Sequence, residues 1–294
     1  MVITQPVERQ TGCVLFLYAF TGLYPGTIDS ILNTSIIDRM KTPGLKTAIP
    51  EVASGTLTTA DNKKISFQHF KNGGLAVIII AHGYYNSKQC VVLQQLAQAL
   101  GEKYDIFMFD FRGHGKSSGV FTWTSREGND LRAVLDFIAP RYSKIGLIAF
   151  SAGASISINV LAHDKRVNSI ICVSAPSDMS KIDYWVWALD WKGDVVYTLF
   201  HPRGRIGKGV RPGPFWLAKE RPIDNVGKIT IPIMFIHGSR DWVIRPWHSE
   251  ALYQKAGGIK KIISIKNGPH AEYLIRDYPE RFLAEVRNWF LDTL

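Results

Sequence analysis

The chain has 294 residues, of which 46% are hydrophobic and 12% aromatic, so one large core can form. Its formal net charge is +10, but no recognition motif accompanies the basic residues, and a nucleic-acid partner is not expected. Three cysteines without regular spacing argue against a disulfide framework and favour a reducing, cytoplasmic location, and no C-x-x-C or H-E-x-x-H motif indicates a metal or other cofactor.

An apolar run, C-V-L-F-L-Y-A-F-T-G-L-Y, occupies residues 13–24 near the start of the chain. It is too short to span a bilayer, and neither a clearly basic leader nor an A-x-A cleavage site flanks it. Three interpretations remain open: a helix packed on the rest of the protein, an interfacial anchor with peripheral membrane contact, or an atypical signal anchor. Residues 1–48 are predicted to be this apolar segment and a linker, followed by one domain at 49–294.

From residue 49 onward, strand-like apolar runs alternate with helix-like periodic segments. A continuous apolar strand such as 77–81 must be buried on both faces, which requires a mostly parallel sheet flanked by helices. The predicted fold class is therefore α/β, with right-handed crossovers. The predicted strands are 64–70, 75–81, 105–109, 144–150, 169–174, 231–237 and 261–265, and the predicted helices are 88–100, 126–138, 152–162, 246–256 and 279–294.

Residues 147–154, L-I-A-F-S-A-G-A, place Ser151 between an apolar strand and a helix that begins with small residues. This is the pattern of a nucleophile elbow, although alanine replaces the first glycine of G-x-S-x-G. A serine at such a sharp turn needs small neighbours, which Ala149 and Gly153 supply. The alternative is that Ser151 only caps the N-terminus of a buried helix.

Two later strands also end in loops whose residues suit a nucleophilic serine. The strand at 231–237 is followed by Asp241, and the strand at 261–265 is followed by His270. Serine becomes nucleophilic when a histidine accepts its proton, and a carboxylate then fixes the tautomer of that histidine and stabilises the imidazolium. All three candidates follow the carboxyl ends of strands, where open α/β sheets bind their ligands. The predicted catalytic residues are therefore Ser151, Asp241 and His270.

Two further segments accompany the chain order Ser, Asp, His. L-A-V-I-I-I-A-H-G-Y-Y-N at 75–86 is a buried strand that ends in His82-Gly83, and Y-D-I-F-M-F-D-F-R-G-H-G-K-S-S-G at 104–119 is a second strand and loop. With the five segments in this order, residues 49–294 resemble the α/β-hydrolase superfamily in its serine esterase and lysophospholipase-like branch. The serine argues against dehalogenases and epoxide hydrolases of that superfamily, which use an aspartate at the elbow.

The resemblance implies roles for further residues. The backbone N–H groups of Tyr84 and Ala152 would form the oxyanion hole. Asp178, just after the strand at 169–174, is an alternative acid because some members of the superfamily use that position. The remaining prominent polar residues are predicted to be structural: His82 and His237 in H-G turns, and Asp110, Arg112, His114 and Asp130 around the D-F-R-G-H-G loop.

The segment 177–228 interrupts the alternation of strands and helices, at the place where this superfamily commonly inserts a lid. Its aromatic rings either pack the insertion onto the catalytic domain or line an acyl pocket, and one face can do both. Trp185, Trp187 and Trp216 are the substrate-binding candidates. The basic loop at 201–214 is interpreted as solvated charge, with attraction of an anionic substrate or lipid surface as the alternative.

These inferences predict a hydrolase that cleaves carboxylic esters of medium or long acyl chains through an acyl-enzyme on Ser151. The expected partner is a small-molecule ester or lipid substrate. Thioesterase, peptidase and acyltransferase activities use the same three residues and remain alternatives, as does a binding protein that keeps the fold without turnover. The sequence does not determine the acyl chain, the leaving group or the oligomeric state.

Overall fold

The computed structural model describes residues 51–182 and 210–294. The predictions for the apolar run at 13–24 and for the linker after it lie outside the described residues, as do those for Trp185 and Trp187. The predicted insertion at 177–228 is described at its two ends only.

A central sheet of eight strands organises the described residues. Their order across the sheet is first, second, fourth, third, fifth, sixth, seventh, eighth. The first and second strands pair antiparallel, as do the second and fourth, and all other neighbours pair parallel. The carboxyl ends of seven strands, all but the second, therefore lie at one edge. The strands are β1 Glu51–Thr58, β2 Lys64–Lys71, β3 Ala76–Ala81, β4 Asp105–Phe109, β5 Lys144–Phe150, β6 Ser169–Val173, β7 Ile233–Gly238 and β8 Lys260–Ile265.

Helices cover both faces of this sheet. In the described ranges they are α1 Val91–Leu100, α2 Gly128–Ile138, α3 Ala152–Leu161, α4 Pro222–Asn225, α5 Trp247–Lys255, α6 Tyr273–Asp277 and α7 Pro279–Thr293. Residues of α2, α3 and α5 join the core on one face, and residues of α1, α6 and α7 join the core on the other. None of these helices has both the length and the apolar composition that a membrane span requires.

Strand β3 shows why the sheet needs two helical layers. Val77 and Ile79 belong to one core cluster, whereas Ile78 and Ile80 belong to the other, because successive side chains of a strand point to opposite faces. Each of these four side chains is at most 1% exposed. The predicted α/β fold with a mostly parallel, helix-covered sheet is confirmed.

The structure differs from the sequence-based prediction at two places that have clear physical reasons. Strand β1 is absent from the prediction because it lies at the sheet edge, where its polar and small residues alternate between exposed and half-buried positions. The helix predicted at 88–100 begins three residues later, at Val91. Its expected first turn is replaced by a loop in which the backbone N–H and the ammonium group of Lys88 both donate to Asp110.

The second described end of the predicted insertion is held on the loop that follows β4. Pro212 forms a bridge with Phe121, whose N–H donates to the Arg211 carbonyl at 2.8 Å. The Arg211 N–H in turn donates to the Gly113 carbonyl at 2.6 Å. The chain then continues through α4 to β7, which carries the loop of Asp241.

Candidate active site

Ser151 lies at the sharp turn between β5 and α3. Its φ is 48° and its ψ is −118°, and its N–H donates to the Val173 carbonyl on β6 at 2.8 Å. A left-handed φ is strained for a residue with a Cβ, and such strain is concentrated at functional sites. The side chain makes no capping hydrogen bond to α3, so the helix-cap alternative is wrong. The hydroxyl Oγ instead lies 3.1 Å from His270 Nε2.

The small residues around the elbow let α3 approach β3 closely. Ala149 is fully buried in β5, beside the turn. A Cβ on Gly153 would lie 2.5 Å from the His82 carbonyl oxygen, a distance that real Cβ atoms essentially never show. The backbone at Gly153 therefore depends on the missing side chain, as the sequence pattern predicts.

His270 and Asp241 extend the hydrogen-bonded path from Ser151. His270 Nδ1 lies 2.8 Å from Asp241 Oδ2 and 3.0 Å from Oδ1. The two loops meet because Gly238, at the end of β7, has no side chain. A Cβ there would lie 2.2 Å from the carbonyl oxygens of Gly268 and Pro269, which belong to the loop that carries His270, the histidine loop. A carboxylate on Nδ1 favours the tautomer with its proton on that atom, which leaves Nε2 to accept the serine proton.

The electrostatics of the pair favour a charged carboxylate and a basic imidazole. Burial raises the pKa of Asp241, but the positive charge of His270 and hydrogen bonds from His237 and His270 hold this pKa well below its ordinary value. Burial lowers the pKa of His270, but the charge and hydrogen bond of Asp241 raise it above its ordinary value. Asp241 is therefore suited to stabilise the imidazolium that forms when His270 accepts a proton.

His82, Gly83 and Tyr84 lie in the loop after β3, the oxyanion loop, where the sequence predicts the oxyanion hole. A Cβ on Gly83 would lie 3.2 Å from the Ser151 Cβ, so this loop packs directly against the candidate nucleophile. His82 Nε2 accepts the N–H of Phe111 at 3.0 Å, which leaves the Nδ1 proton to be donated to the Gly83 carbonyl at 2.7 Å. Because C=O and N–H point in opposite directions across a trans peptide, this hydrogen bond orients the Tyr84 N–H.

Ala152, the other predicted donor, is the first residue of α3. The first N–H groups of a helix have no partner within that helix, which leaves them available for a developing negative charge. The fold thus brings both predicted donors next to Ser151, and their role as an oxyanion hole remains a prediction. Among residues 51–182 and 210–294, no group of three or more His, Cys, Asp or Glu side chains is arranged to hold a metal ion.

Asp178, the alternative acid, makes other contacts. Its Oδ1 accepts the N–H of Ser180 at 2.9 Å and the hydroxyl of the same residue at 2.7 Å. Arg221 lies 3.8 Å from its Oδ2. Since the carboxylate that contacts His270 is that of Asp241, the geometry favours Asp241 as the acid.

Buried and partly buried ion pairs hold the D-F-R-G-H-G loop in place after β4. Asp110 pairs with the Lys88 ammonium at 2.5 Å, and both side chains are at most 2% exposed. Arg112 pairs with Asp130 at 2.7 Å and with Asp61 at 2.5 Å. These contacts agree with the structural role predicted for Asp110, Arg112 and Asp130, and they add Asp61 as a partner.

Two buried residues of the site are missed by the sequence analysis. His237, assigned there to a turn only, has its Nε2 3.1 Å from Asp241 Oδ2, and its place at the end of the strand that precedes Asp241 is the hint the sequence contains. Glu272 is two residues from His270, and its Oε1 accepts the Gly83 N–H at 2.9 Å. No motif points to Glu272, although its position beside the candidate histidine is a hint.

Aromatic side chains also gather beside the oxyanion loop. The Tyr84 ring lies 5.1 Å from the Phe121 ring and 5.0 Å from the Trp123 ring, measured between centroids. Trp216, the substrate-binding candidate within the described residues, is 73% exposed and contacts Phe215, which is 68% exposed. The rings of Tyr84 and Trp123, both half-buried, therefore pack on buried Phe121 beside the oxyanion loop, and a role of Trp216 in binding remains a prediction.

Comparisons with known proteins connect this arrangement to characterised folds. The family model "Serine aminopeptidase, S33" matches residues 74–205. The uncharacterized protein YfhR of Escherichia coli O157:H7 is 28% identical over 237 residues, which are 76% of this chain and 72% of that protein. The esterase Pf2001 of Pyrococcus furiosus has a TM-score of 0.69 at 23% identity, covering 86% of this chain and 96% of that chain. The esterase RhEst1 from Rhodococcus sp. ECU1013 has a TM-score of 0.67 at 18% identity, covering 82% of this chain and 99% of that chain.

The similarity to the two esterases is similarity of fold, since few residues are shared. The family-model match spans the segments that contain the oxyanion loop, the D-F-R-G-H-G loop and the nucleophile elbow. The predicted resemblance is confirmed by these matches together with the sheet order and its flanking helices. The described residues have the α/β-hydrolase fold, and residues 74–205 match a serine hydrolase family model.

Proposed function

We propose that this chain is a serine hydrolase that cleaves carboxylic esters through an acyl-enzyme on Ser151. The observation that carries the proposal is the path from Ser151 Oγ through His270 to Asp241, with contacts of 3.1 Å and 2.8 Å. A serine hydroxyl is a weak nucleophile until a base and its orienting carboxylate activate it. The match to the serine aminopeptidase model and the fold shared with two esterases support a hydrolase in general terms.

In the first half-reaction, Ser151 Oγ attacks the carbonyl carbon of the ester while His270 Nε2 accepts the hydroxyl proton. Asp241 stabilises the imidazolium, and the N–H groups of Tyr84 and Ala152 donate to the oxyanion. The tetrahedral intermediate then collapses, the bond to the alcohol breaks, and the alcohol takes the proton from His270. The acyl group remains on Ser151.

In the second half-reaction, water takes the place of the departed alcohol. His270 accepts a proton from water as the water oxygen attacks the acyl carbonyl, and it returns that proton to Ser151 Oγ as the carboxylic acid leaves. One ester and one water yield one acid and one alcohol. Because each half-reaction begins with neutral His270, the rate depends on the pKa of this residue.

The proposed substrates carry medium or long acyl chains. Support comes from the half-buried rings of Tyr84 and Trp123 beside the oxyanion loop, which pack on the buried ring of Phe121, and from the exposed rings of Phe215 and Trp216. Each methylene that such surface buries contributes about 0.8 kcal/mol of transfer free energy. The specificity constant kcat/KM is therefore expected to rise several-fold with each added pair of carbons until the pocket is full.

A series of p-nitrophenyl esters from acetate to long-chain acids tests this proposal. Trp216→Ala should flatten the dependence of kcat/KM on chain length, whereas acetate turnover should change little. Leu291→Ala is a matched control, because Leu291 is 53% exposed on α7, whose neighbouring Phe290 packs next to Gly146, at the end of β5 away from Ser151. Acetate as the best substrate would contradict the chain-length proposal without contradicting ester hydrolysis.

The family model named for an aminopeptidase favours amide hydrolysis as the second candidate function. Aminoacyl p-nitroanilides, thioesters and lysophospholipids assayed beside the esters separate the alternatives. A higher kcat/KM for aminoacyl amides than for every ester would replace the esterase proposal by a peptidase.

A further inference from the structure

Glu272 is a buried carboxylate that the reaction described above does not use. It lies two residues beyond His270 and is 7% exposed. Its Oε1 accepts the N–H of Gly83, on the oxyanion loop, at 2.9 Å. The Asn86 side chain, from the same loop, also hydrogen-bonds this carboxylate. Glu272 therefore joins the loop of the candidate base to the loop of a candidate oxyanion donor.

A carboxyl group in this position needs a physical explanation, because burying a charge is costly without compensation. Burial raises the pKa of Glu272 above its ordinary value, and the charge of His270 together with hydrogen bonds from the Gly83 backbone and the Asn86 side chain offsets that rise in part. These partners donate hydrogen bonds to the carboxylate, which satisfies its ionised form. Among the titratable groups of the described residues, His270 is the one whose charge acts on the Glu272 carboxylate.

The hydrogen bond fixes one of two consecutive peptide planes. The Gly83 N–H belongs to the peptide that joins His82 to Gly83, and Glu272 holds it. The next peptide contains the Gly83 carbonyl, which accepts from His82 Nδ1, and the Tyr84 N–H. With both planes fixed, the direction of the Tyr84 N–H is set before substrate binds, as stabilisation of an oxyanion requires.

The histidine loop has a second attachment that carries no charge. Ser174 Oγ, at the end of β6, accepts the N–H of Ala271 at 3.0 Å. Ala271 lies between His270 and Glu272 and has a left-handed φ of 44°. The two attachments differ in one respect: the one through Glu272 adds a negative charge next to His270.

We propose that Glu272 is a positioning residue that locks the oxyanion loop onto the histidine loop and, as a carboxylate, stabilises the protonated form of His270. This inference rests on the proposed serine hydrolase function. It gives Glu272 two separable effects, one on the geometry of the Tyr84 donor and one on the proton affinity of the base. Glu272 does not contact the reacting atoms in this scheme, so KM for a short ester should be unaffected.

The electrostatic effect has a definite sign. The groups that face His270 are Asp241, from the loop after β7, Glu272, from its own loop, and the Ser151 hydroxyl, from the elbow. Both carboxylates raise the pKa of His270. Removing the charge of Glu272 should therefore lower this pKa, and the acid limb of the profile of kcat/KM against pH should move to lower pH.

The test compares Glu272→Gln with Glu272→Asp on a short p-nitrophenyl ester. The glutamine keeps an acceptor for the Gly83 N–H but removes the charge, so the acid limb should shift down by about half a pH unit or more while plateau kcat stays within about threefold. The aspartate keeps the charge but is one methylene too short, so plateau kcat should fall about fivefold or more without a shift of the limb.

Two further variants serve as controls. Ser174→Ala removes the uncharged attachment of the histidine loop, so kcat should fall without movement of the acid limb. Glu280→Gln removes an exposed carboxylate on α7 and should leave both the limb and kcat unchanged. Urea unfolding of every variant shows whether the folded protein is being compared. If Glu272→Gln does not fold, Glu272→Met, which also removes the charge, provides the acid limb, and Glu272→Asp with Ser174→Ala tests the positioning part.

If the acid limb of kcat/KM against pH lies at the same pH in Glu272→Gln as in the wild type, the inference that the Glu272 charge acts on His270 is overturned. A plateau kcat of Glu272→Asp equal to that of the wild type would overturn the inference that Glu272 positions the oxyanion loop. Both outcomes leave the hydrolase proposal standing, because they require an active wild-type enzyme. A wild-type protein without turnover of any ester, thioester or amide would instead contradict the proposed function, and the inference about Glu272 with it.

Discussion

The Gly153→Ala substitution tests how closely the elbow helix must approach the oxyanion loop. A Cβ at this position would lie 2.5 Å from the His82 carbonyl oxygen and 2.8 Å from that of Ala81. Ordinary contact begins at 3.4 Å, so the two backbones must separate by 0.9 Å, the difference between 3.4 Å and 2.5 Å. No flexible side chain can absorb this displacement, because the opposing atoms belong to the backbone.

The two predicted oxyanion donors lie on opposite sides of this contact. Tyr84 follows His82 by two residues, and Ala152 directly precedes Gly153. A displacement of about 1 Å in an active site costs about 10²-fold in rate, so kcat/KM for a short ester should fall by about that factor. Overpacking should lower the free energy of unfolding by about 1–3 kcal/mol. Initial rates and urea unfolding measure the two effects.

Gly146→Ala is the matched control on the same strand, β5. Its Cβ would lie 2.8 Å from Leu294 and 2.9 Å from the Phe290 ring, so it overpacks the core at the end of the sheet away from Ser151. We expect a comparable loss of stability with kcat/KM within about threefold of the wild type. If Gly153→Ala loses stability but keeps wild-type kcat/KM, the reasoning about the donor geometry is refuted.

The remaining predictions concern the candidate catalytic residues. Ser151→Ala and His270→Ala should each lower kcat about 10⁴-fold or more with the fold intact, and the double variant should lose little more, because the residues act as a unit; additive losses would contradict this. Asp241→Asn should cost far more activity than Asp178→Asn, and the reverse order in the same assay would transfer the acid to Asp178. The acid limb of kcat/KM against pH should lie above 6.5, the ordinary pKa of histidine, because Asp241 raises the pKa of His270 and the neutral base is the active form; a limb below 6.5 would contradict the assigned environment.

The buried strands and the elbow are predictable from the sequence because local pattern and tertiary position agree there. Strands β4 and β5 have the predicted bounds, since each is a short apolar run that is buried in the middle of the sheet. Ser151, Asp241 and His270 follow strands whose carboxyl ends share one edge, so their proximity follows from the topology.

The parts that escape prediction depend on contacts between distant residues. The first turn of the helix predicted at 88–100 is lost to a contact with Asp110, which lies 22 residues away along the chain. Glu272 reaches Gly83 across 189 residues, and no pattern of spacing encodes such a contact. Strand β1 pairs with β2 at the edge of the sheet, where burial is too weak to impose an apolar pattern.

Covalent labelling with a fluorophosphonate probe, followed by mass spectrometry of the digested protein, shows whether Ser151 is an activated nucleophile. The probe reacts with a serine whose hydroxyl is activated by a neighbouring base. One adduct is expected, on the peptide that contains Ser151, and it should be lost in Ser151→Ala and His270→Ala. An adduct on another residue, or a folded wild-type protein that is not labelled, would contradict the claim that Ser151 is the nucleophile of a serine hydrolase.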